Sequence, residues 1–168
     1  MAGDVVDLIL ADHRRFEDLL HELRNVEADR TAVMTELADL LVAHAEAEER
    51  WVYPVLRYRD AIDREEAKHG KHEHAEGHEA LLALLEVGDP DAEGFDDAVE
   101  DLTKELAHHL DEEERDVLNP ARTDVDEEVR QDLGVEFMEE RQRLLDSHAG
   151  SIDNVRRLVR EAREDDLI

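Results

Sequence analysis

Residues 44–54 read HAEAEERWVYP, and residues 108–120 read HHLDEEERDVLNP. Both segments contain a histidine that is followed four positions later by a glutamate, and both end in a proline. The pairs are His44 with Glu48 and His109 with Glu113. Residues four apart on an α-helix lie one above the other on the same face. The segments therefore predict two helices, each of which presents an imidazole and a carboxylate in one direction.

The two segments belong to an internal repeat. When the chain is shifted by 65 residues on itself, polar and apolar residues of the first copy fall on identical residues of the second. The matched pairs are His13/His78, His44/His109, Glu48/Glu113, Glu49/Glu114, Leu20/Leu85, Leu37/Leu102, Leu41/Leu106 and Val52/Val117. The repeat predicts two copies of one helix pair, with a histidine on the first helix and His-x-x-x-Glu on the second.

Apolar residues recur at three- and four-residue steps through most of the chain, which is typical of amphipathic helices. The predicted helices span about Val5–Val26, Thr31–Tyr53, Ile62–Val87 and Phe95–Leu118. Proline disfavours a helical conformation at the residue before it, so Pro54 is predicted to end or kink the second helix and Asn119-Pro120 to close the fourth. Four long helices with short connections predict an all-α fold, an up-down-up-down four-helix bundle.

The predicted bundle occupies residues 1–120, and residues 121–168 form a C-terminal helical appendix. In the appendix, a short helix at about Asp126–Leu133 is predicted to meet Gly134. A further helical stretch follows, which Gly150-Ser151 could interrupt. We expect the appendix to pack on the bundle or to form the contact of a homodimer.

Composition excludes several classes of function. Lys and Arg number 20 against 48 Asp and Glu, which gives a formal net charge of −28. Such a surface repels phosphate backbones and anionic lipid heads, so we expect no nucleic-acid or membrane partner. The absence of cysteine excludes disulfides, thiolate metal sites and thiol catalysis. The first ten residues lack a basic segment followed by a long apolar run, so a cytoplasmic protein is expected.

The paired polar residues lie on the apolar stripes of their helices. Leu37, Leu41, His44 and Glu48 form one line, and the repeat places Glu113 on an equivalent line. A lone buried carboxylate costs several kcal/mol, and a shared cation removes that cost. Two carboxylates that can each bridge suit two metal ions a few ångströms apart.

A fifth imidazole makes the two halves unequal. His74 lies one turn before His78, and the repeat matches it to Ile9. One metal should therefore have more nitrogen ligands than the other. The metal with fewer protein ligands keeps an open position, where a small molecule can bind. The run KHGKHEHAEGH (68–78) is rich in histidine, so His72 is an alternative occupant.

The order H…HxxxE…HxxxH…HxxxE resembles the hemerythrin family, specifically bacterial hemerythrin-like domains with the HHE cation-binding signature. The resemblance covers about residues 5–120 and rests on Asp12-His13, HAEAEERWVYP, EHAEGH (73–78) and HHLDEEERDVLNP. It implies a non-heme di-iron centre with an oxo or hydroxo bridge and two bridging carboxylates. The ligands it implies are His13, His44, Glu48, His74, His78, His109 and Glu113.

The same resemblance implies that a small diatomic gas or peroxide binds at the centre. Relatives are linked to oxygen carriage or sensing, nitric oxide handling, peroxide breakdown and iron homeostasis. An enzymatic member would be a di-iron peroxide or nitric oxide oxidoreductase, with catalase-like peroxide breakdown as one such activity. Oxygen-carrying members have His-x-x-x-x-Asp on the last helix, where this chain has His109-x-x-x-Glu113. Glu114 could substitute as a ligand there.

Two other functions use the same residue types. Ferritin-like iron storage or ferroxidase chemistry needs Glu-x-x-His on two helices. Glu66-x-x-His69 and Glu105-x-x-His108 fit these letters but lie off the apolar stripes. A zinc-bound structural bundle for partner binding is the other alternative, because zinc accepts the same nitrogen and oxygen donors.

Overall fold

A computed structural model describes residues 3–168, and the structural statements below concern that part of the chain. The all-α fold class is confirmed, with no strand among these residues. Eight α-helices are described: α1 (Val5–Glu22), α2 (Arg30–Ala47), α3 (Tyr53–Tyr58), α4 (Arg64–Val87), α5 (Phe95–Glu113), α6 (Asn119–Asp124), α7 (Glu127–Asp146) and α8 (Ile152–Glu164). Two π-helical turns, Glu48–Val52 and Glu114–Leu118, join α2 to α3 and α5 to α6.

None of the described helices combines the length and the apolar character that crossing a lipid bilayer requires.

Aspartate side chains fix the first turn of three long helices. Each accepts a hydrogen bond, 2.8–3.1 Å long, from a backbone N–H two or three residues further on. The pairs are Asp4 with Val6, Asp29 with Ala32 and Asp63 with Glu66. Each bond satisfies a donor that has no partner inside the helix. The starts of α1, α2 and α4 are therefore set locally.

The buried apolar side chains form two clusters, with the predicted ligands between them. The larger cluster includes Phe16–Leu23 of α1, Val33–Val42 of α2, Leu81 and Leu84 of α4, and Phe95–Leu110 of α5. The smaller cluster includes Val5–Ile9 of α1, Ala47, Tyr53 and Leu56, Ala67 of α4, Val117, Leu118 and Phe137. Along α1 and α4 the chain passes from the smaller to the larger cluster, and along α2 and α5 it passes the other way. Helices α1, α2, α4 and α5 therefore carry their buried polar residues where the chain crosses from one cluster to the other.

The helical path does not end at either proline, whereas the sequence predicted an end or a kink at Pro54 and closure at Asn119-Pro120. The helical path continues through Pro54 into α3, and a π-helical turn in which the N–H of Tyr53 bonds to the carbonyl of Glu48 comes directly before it. The wider turn relieves the contact that a proline ring makes with the carbonyl four residues earlier in an α-helix. A second π-helical turn precedes Asn119-Pro120, which begins α6 instead of ending the fourth helix.

Two long helices follow α6. Helix α7 packs against α1 and α2, and α8 packs against α4. The predicted stop at Gly134 is wrong, because α7 runs through this residue. A Cβ there would stand 2.0 Å from the carbonyl oxygen of Gly3, so glycine allows α7 to lie against that backbone. The interruption at Gly150-Ser151 is confirmed, whereas a division at residue 120 and a dimer contact stay predictions.

Gly150 lies where the connection between α7 and α8 crosses α2, and a Cβ there would stand 2.2 Å from backbone atoms of Ala38 and Asp39. Gly150→Ala should therefore lower the free energy of unfolding by about 1–3 kcal/mol, as overpacking of tight sites does. Chemical denaturation measures the change. Gly3→Ala is the control, because a Cβ at that position meets nothing within 4 Å. Equal stability of the two variants would contradict the close approach.

Candidate metal centre

All seven residues that the sequence resemblance implies as ligands are buried, each 6% exposed or less. His13 comes from α1, His44 from α2, Glu48 from the first π-helical turn, His74 and His78 from α4, and His109 and Glu113 from α5. Six of them form two groups in which ligand atoms lie within 4.8 Å of one another. The first group is His13, His44, Glu48 and Glu113, and the second is His74, His109, Glu48 and Glu113. The two groups share both carboxylates.

The carboxylate of Glu48 faces both groups with different oxygens. Its Oε1 lies 3.1 Å from Nε2 of His44, and its Oε2 lies 3.1 Å from Nε2 of His74. Glu113 uses one oxygen for both groups: its Oε2 lies 3.2 Å from Nε2 of His13 and 3.5 Å from Nε2 of His109. Each carboxylate is therefore positioned between imidazoles of the two groups.

Most of these inward-facing atoms have no hydrogen-bond partner in spite of their closeness. The unpartnered buried atoms include Nε2 of His13, His44, His78 and His109, both carboxylate oxygens of Glu48, and Oε2 of Glu113. Buried polar atoms are normally hydrogen-bonded, and a concentration of exceptions at one place needs an explanation. Imidazole nitrogens and carboxylate oxygens are donors to divalent transition metals, so a bound cation satisfies all of these atoms together.

His78 lies outside both groups, although it is buried and its Nε2 is unpartnered. Burial and the neighbouring imidazoles of His74 and His109 lower its pKa to about 4. It is therefore neutral near pH 7, and its nitrogen lone pair needs no deprotonation before it can bind a cation.

Carboxylates on neighbouring helices hold the outer nitrogens of four imidazoles. The Nδ1–carboxylate pairs are His13 with Glu114 at 3.0 Å, and His44 with Asp12, His74 with Glu49 and His109 with Glu73, each at 2.9 Å. Such a bond fixes the ring orientation and makes the other nitrogen a better metal ligand. Glu114 lies on the outer side of His13 and is in neither group of ligand atoms.

The positions of Asp12 and Glu73 show that the 65-residue shift pairs the wrong histidines on the first helix of each copy. Asp12 and Glu73 each precede a ligand histidine directly, which makes His13 and His74 the equivalent residues, a shift of 61 positions. The shift of 65 residues holds for the second helices but not for the first. The additional imidazole is therefore His78, not His74 as the alignment indicated.

The appendix also reaches the site. Arg141 of α7 donates two hydrogen bonds to the carboxylate of Asp12, at 2.8 and 2.7 Å. The ring of Phe137 lies edge-on against the imidazole of His44, with 5.7 Å between ring centres. The orientation of His44 thus depends on α7 as well as on α1.

Residues 4–121 match the hemerythrin HHE cation binding domain family. The chain belongs to this family. Comparisons with curated proteins and with solved structures found no significant match. The match covers α1 to the beginning of α6, and α7 and α8 lie beyond it. The family resemblance seen in the sequence is confirmed, and the buried groups of this hemerythrin-type site can hold metal ions.

Tyr53 is a further residue of the hemerythrin-type site. Its hydroxyl donates to Oε1 of Glu113 at 2.7 Å and lies 3.3 Å from Nε2 of His74. Burial and the charges of Glu113 and Glu48 raise the pKa of Tyr53 well above its usual value. It therefore stays protonated and remains a hydrogen-bond donor.

Without a cation, the site balances its own charges. Burial lowers the pKa of His44, but the carboxylates of Glu48 and Asp12 outweigh burial and raise that pKa to about 10. Burial opposes ionisation of Glu48, but His44 and His74 hold its pKa below the usual range. Protonated imidazoles thus supply the positive charge that balances the buried carboxylates. A metal ion must displace these protons in order to bind.

The other histidines singled out in the sequence lie outside the centre. His72 is partly exposed; its Nδ1 contacts the carbonyl of Leu167, and its Nε2 lies 3.3 Å from Glu76. It lies outside both buried groups of ligand atoms. His69 and His108, which fitted the ferritin-like pattern, have 47% and 62% of their side chains exposed.

A small, partly enclosed cavity lies beside the centre, between His44 of the first group and the imidazoles of His74 and His109 of the second. Its volume is about 10 Å³, close to the space that one water molecule needs. Its wall includes His74, His78, His109, Phe16, Leu41, Gly77 and Leu106. Only a species of a few atoms can be held beside these imidazoles without a rearrangement of the core.

Asp12→Asn should raise the dissociation constant for Fe²⁺ by about ten- to a hundredfold, because an amide holds the Nδ1–H of His44 less strongly. Competition with a chelator under anaerobic conditions measures the affinity. Asp7→Asn is the control, since Asp7 is an exposed carboxylate on the same helix that pairs with Arg122. Unchanged affinity in Asp12→Asn would show that this carboxylate does not tune the site.

Proposed function

We propose that this chain holds two non-heme iron ions, joined by an oxo or hydroxo bridge, and binds O2, nitric oxide or peroxide at that centre. The observation that carries the proposal is the pair of buried ligand groups that share Glu48 and Glu113. Two carboxylates common to two sets of imidazoles suit a pair of ions better than a single ion.

The ligands divide unequally between the two ions. His13 and His44 serve one ion, whereas His74, His78 and His109 serve the other, and both share the two carboxylates. The ion with two imidazoles keeps the open position for a small molecule. The opposite senses in which successive helices cross the two clusters support the up-down-up-down topology that this arrangement needs.

The residues around the centre select for a small ligand. When bound, ferrous iron supplies the electrons for binding or reducing an oxidant. The chain supplies a largely apolar wall that limits the ligand to a few atoms and keeps bulk water away. The Tyr53 hydroxyl donates a hydrogen bond to Oε1 of Glu113 at 2.7 Å, and both side chains are buried.

We infer a role in sensing, carriage or detoxification of such a molecule, with peroxide breakdown as the enzymatic activity that the site favours. Peroxide disproportionation needs the metal pair but no extended substrate pocket. The small cavity supports this choice, because it leaves no room for an organic substrate next to the imidazoles.

Anaerobic loading with Fe²⁺, followed by exposure to O2, nitric oxide and peroxide in turn, tests the proposal. Two iron ions per chain should remain after exchangeable metal is removed by gel filtration, and the oxidised protein should show oxo-to-iron charge-transfer absorption that azide perturbs. His109→Ala should abolish this absorption, because it removes an imidazole of the second group. His21→Ala, which removes an exposed imidazole, should leave it intact. A colourless protein after loading, or zinc as the metal in protein from its native host, would overturn the di-iron assignment.

Gly77→Ala tests the cavity separately from the metal. A Cβ at this position meets only Leu106, at 3.8 Å, so the helix accepts alanine, but the methyl group points into the cavity wall. Iron content and folding should be unchanged, whereas the rate of azide or nitric oxide binding should fall by about tenfold or more, since one added methyl exceeds the free volume. Stopped-flow absorption measures the rate. Unaltered rates would mean that the ligand reaches the centre from another side.

A further inference from the structure

A second set of imidazoles and carboxylates lies at the surface between α4 and α5. It consists of His69 and Glu73 of α4 and His108 and Glu112 of α5. None of these residues belongs to the seven ligands of the central site. His69, Glu73 and Glu112 offer ligand atoms within 4.8 Å of one another. His108 adds a second exposed imidazole beside both carboxylates.

The distances suit one ion. Nε2 of His69 lies 2.7 Å from Oε2 of Glu112 and 3.6 Å from Oε1 of Glu73. Nε2 of His108 lies 3.6 Å from Oε1 of Glu73 and 3.6 Å from Oε1 of Glu112. Two ligands of a tetrahedral zinc ion, each about 2.0–2.2 Å from the metal, are separated by about 3.3–3.6 Å. Three of the four separations are therefore close to those of a bound ion. His108 lies outside the group of three whose ligand atoms are all within 4.8 Å of one another, so its side chain must turn toward the ion.

Glu73 supplies the observation that separates this cluster from ordinary surface charge. Its side chain is only 5% exposed, and its Oε1 is buried without a hydrogen-bond partner. The other oxygen, Oε2, accepts from Nδ1 of His109 at 2.9 Å, which fixes the carboxylate in place. Oε1 is thus aimed at the two exposed imidazoles, and a buried carboxylate oxygen left without a partner is unfavourable.

We propose that His69, Glu73, His108 and Glu112 bind one divalent transition-metal cation, such as Zn²⁺ or Fe²⁺, at a surface site separate from the buried centre. Two imidazoles and two carboxylates form a four-ligand set that such ions accept. Glu73 is the fixed ligand, and the three others close on the ion from exposed or partly exposed positions. The site is open to solvent, so the ion exchanges with the medium.

One carboxylate connects the two sites. Glu73 presents Oε1 to the surface ion and Oε2 to His109, whose other nitrogen faces Glu113 in the centre. The proposal does not rest on iron in the centre, because all four surface ligands lie outside the two central groups. It does connect an exchangeable surface ion, through Glu73 alone, to His109, a proposed ligand of the buried site.

Zn²⁺ binding to the full-length protein tests the site. Equilibrium dialysis with metal analysis should find one more ion per chain in the wild type than in the double variant His69→Ala/His108→Ala. Both side chains are largely exposed, so the variant keeps its fold. Glu112→Gln, which leaves both imidazoles, should raise the dissociation constant of this additional ion at least tenfold. Anomalous scattering from zinc-soaked crystals should place an ion between Glu73 and His69.

The control is His21→Ala/His148→Asn, which removes the same number of exposed imidazoles outside the cluster and should bind as many ions as the wild type. Asparagine is chosen at 148 because the backbone there has φ of 52°. The same number of ions and the same affinities in the wild type and His69→Ala/His108→Ala would overturn the proposal. A centre that holds no metal would lower the count in all variants equally and leave the difference of one ion.

Discussion

The burial of two carboxylates between two apolar clusters is the constraint on which the rest of the structure depends. Glu48 and Glu113 are 0% and 3% exposed, and within residues 3–168 both form ion pairs with histidines and none with a lysine or arginine. Ionised carboxylates in such a place are tolerated only if cationic or hydrogen-bonding groups surround them. Helices α1, α2, α4 and α5 therefore each bring at least one imidazole or carboxylate into one layer between the two apolar clusters. Apolar residues fill both sides of that layer, and this leaves a cation as the natural partner.

The imidazoles in turn need carboxylates on their outer side, and these follow the internal duplication. Asp12 and Glu73 each hold a histidine on the second helix of their own copy, His44 and His109. The glutamates that follow Glu48 and Glu113 hold a histidine of the other copy. The two copies thus complete each other's site, so neither helix pair could orient its ligands alone. A net charge of −28 is, in part, a consequence of building a polar layer in this way.

The residues predictable from the sequence were those whose signal is local. The i, i+4 spacing of His44 and Glu48 within an apolar stripe predicts a buried pair. Both the helix periodicity and the burial can be inferred from this one segment of sequence. Asp12 could not be assigned, since its partner is on another helix and acidic residues are abundant throughout. The π-helical turns could not be predicted either, because the rule that proline interrupts a helix considers only α-helical geometry. The sequence repeat paired His13 with His78 instead of His74. The error arose because His74 and His78 lie one turn apart on the same helix face, so both fit the apolar pattern.

Helices α7 and α8 lie outside the region that matches the family, yet α7 takes part in the centre. Asp12 is held on one side by His44 and on the other by Arg141, and the second bond exists only while α7 is docked. Undocking α7 would leave a buried carboxylate with a single partner and remove Phe137 from the face of the imidazole. Whatever favours the metal-binding orientation of His44 must therefore favour docking of α7 to the same extent, because the two equilibria share one set of contacts. The appendix is in this sense part of the metal site, although the motifs that identify the family stop before it.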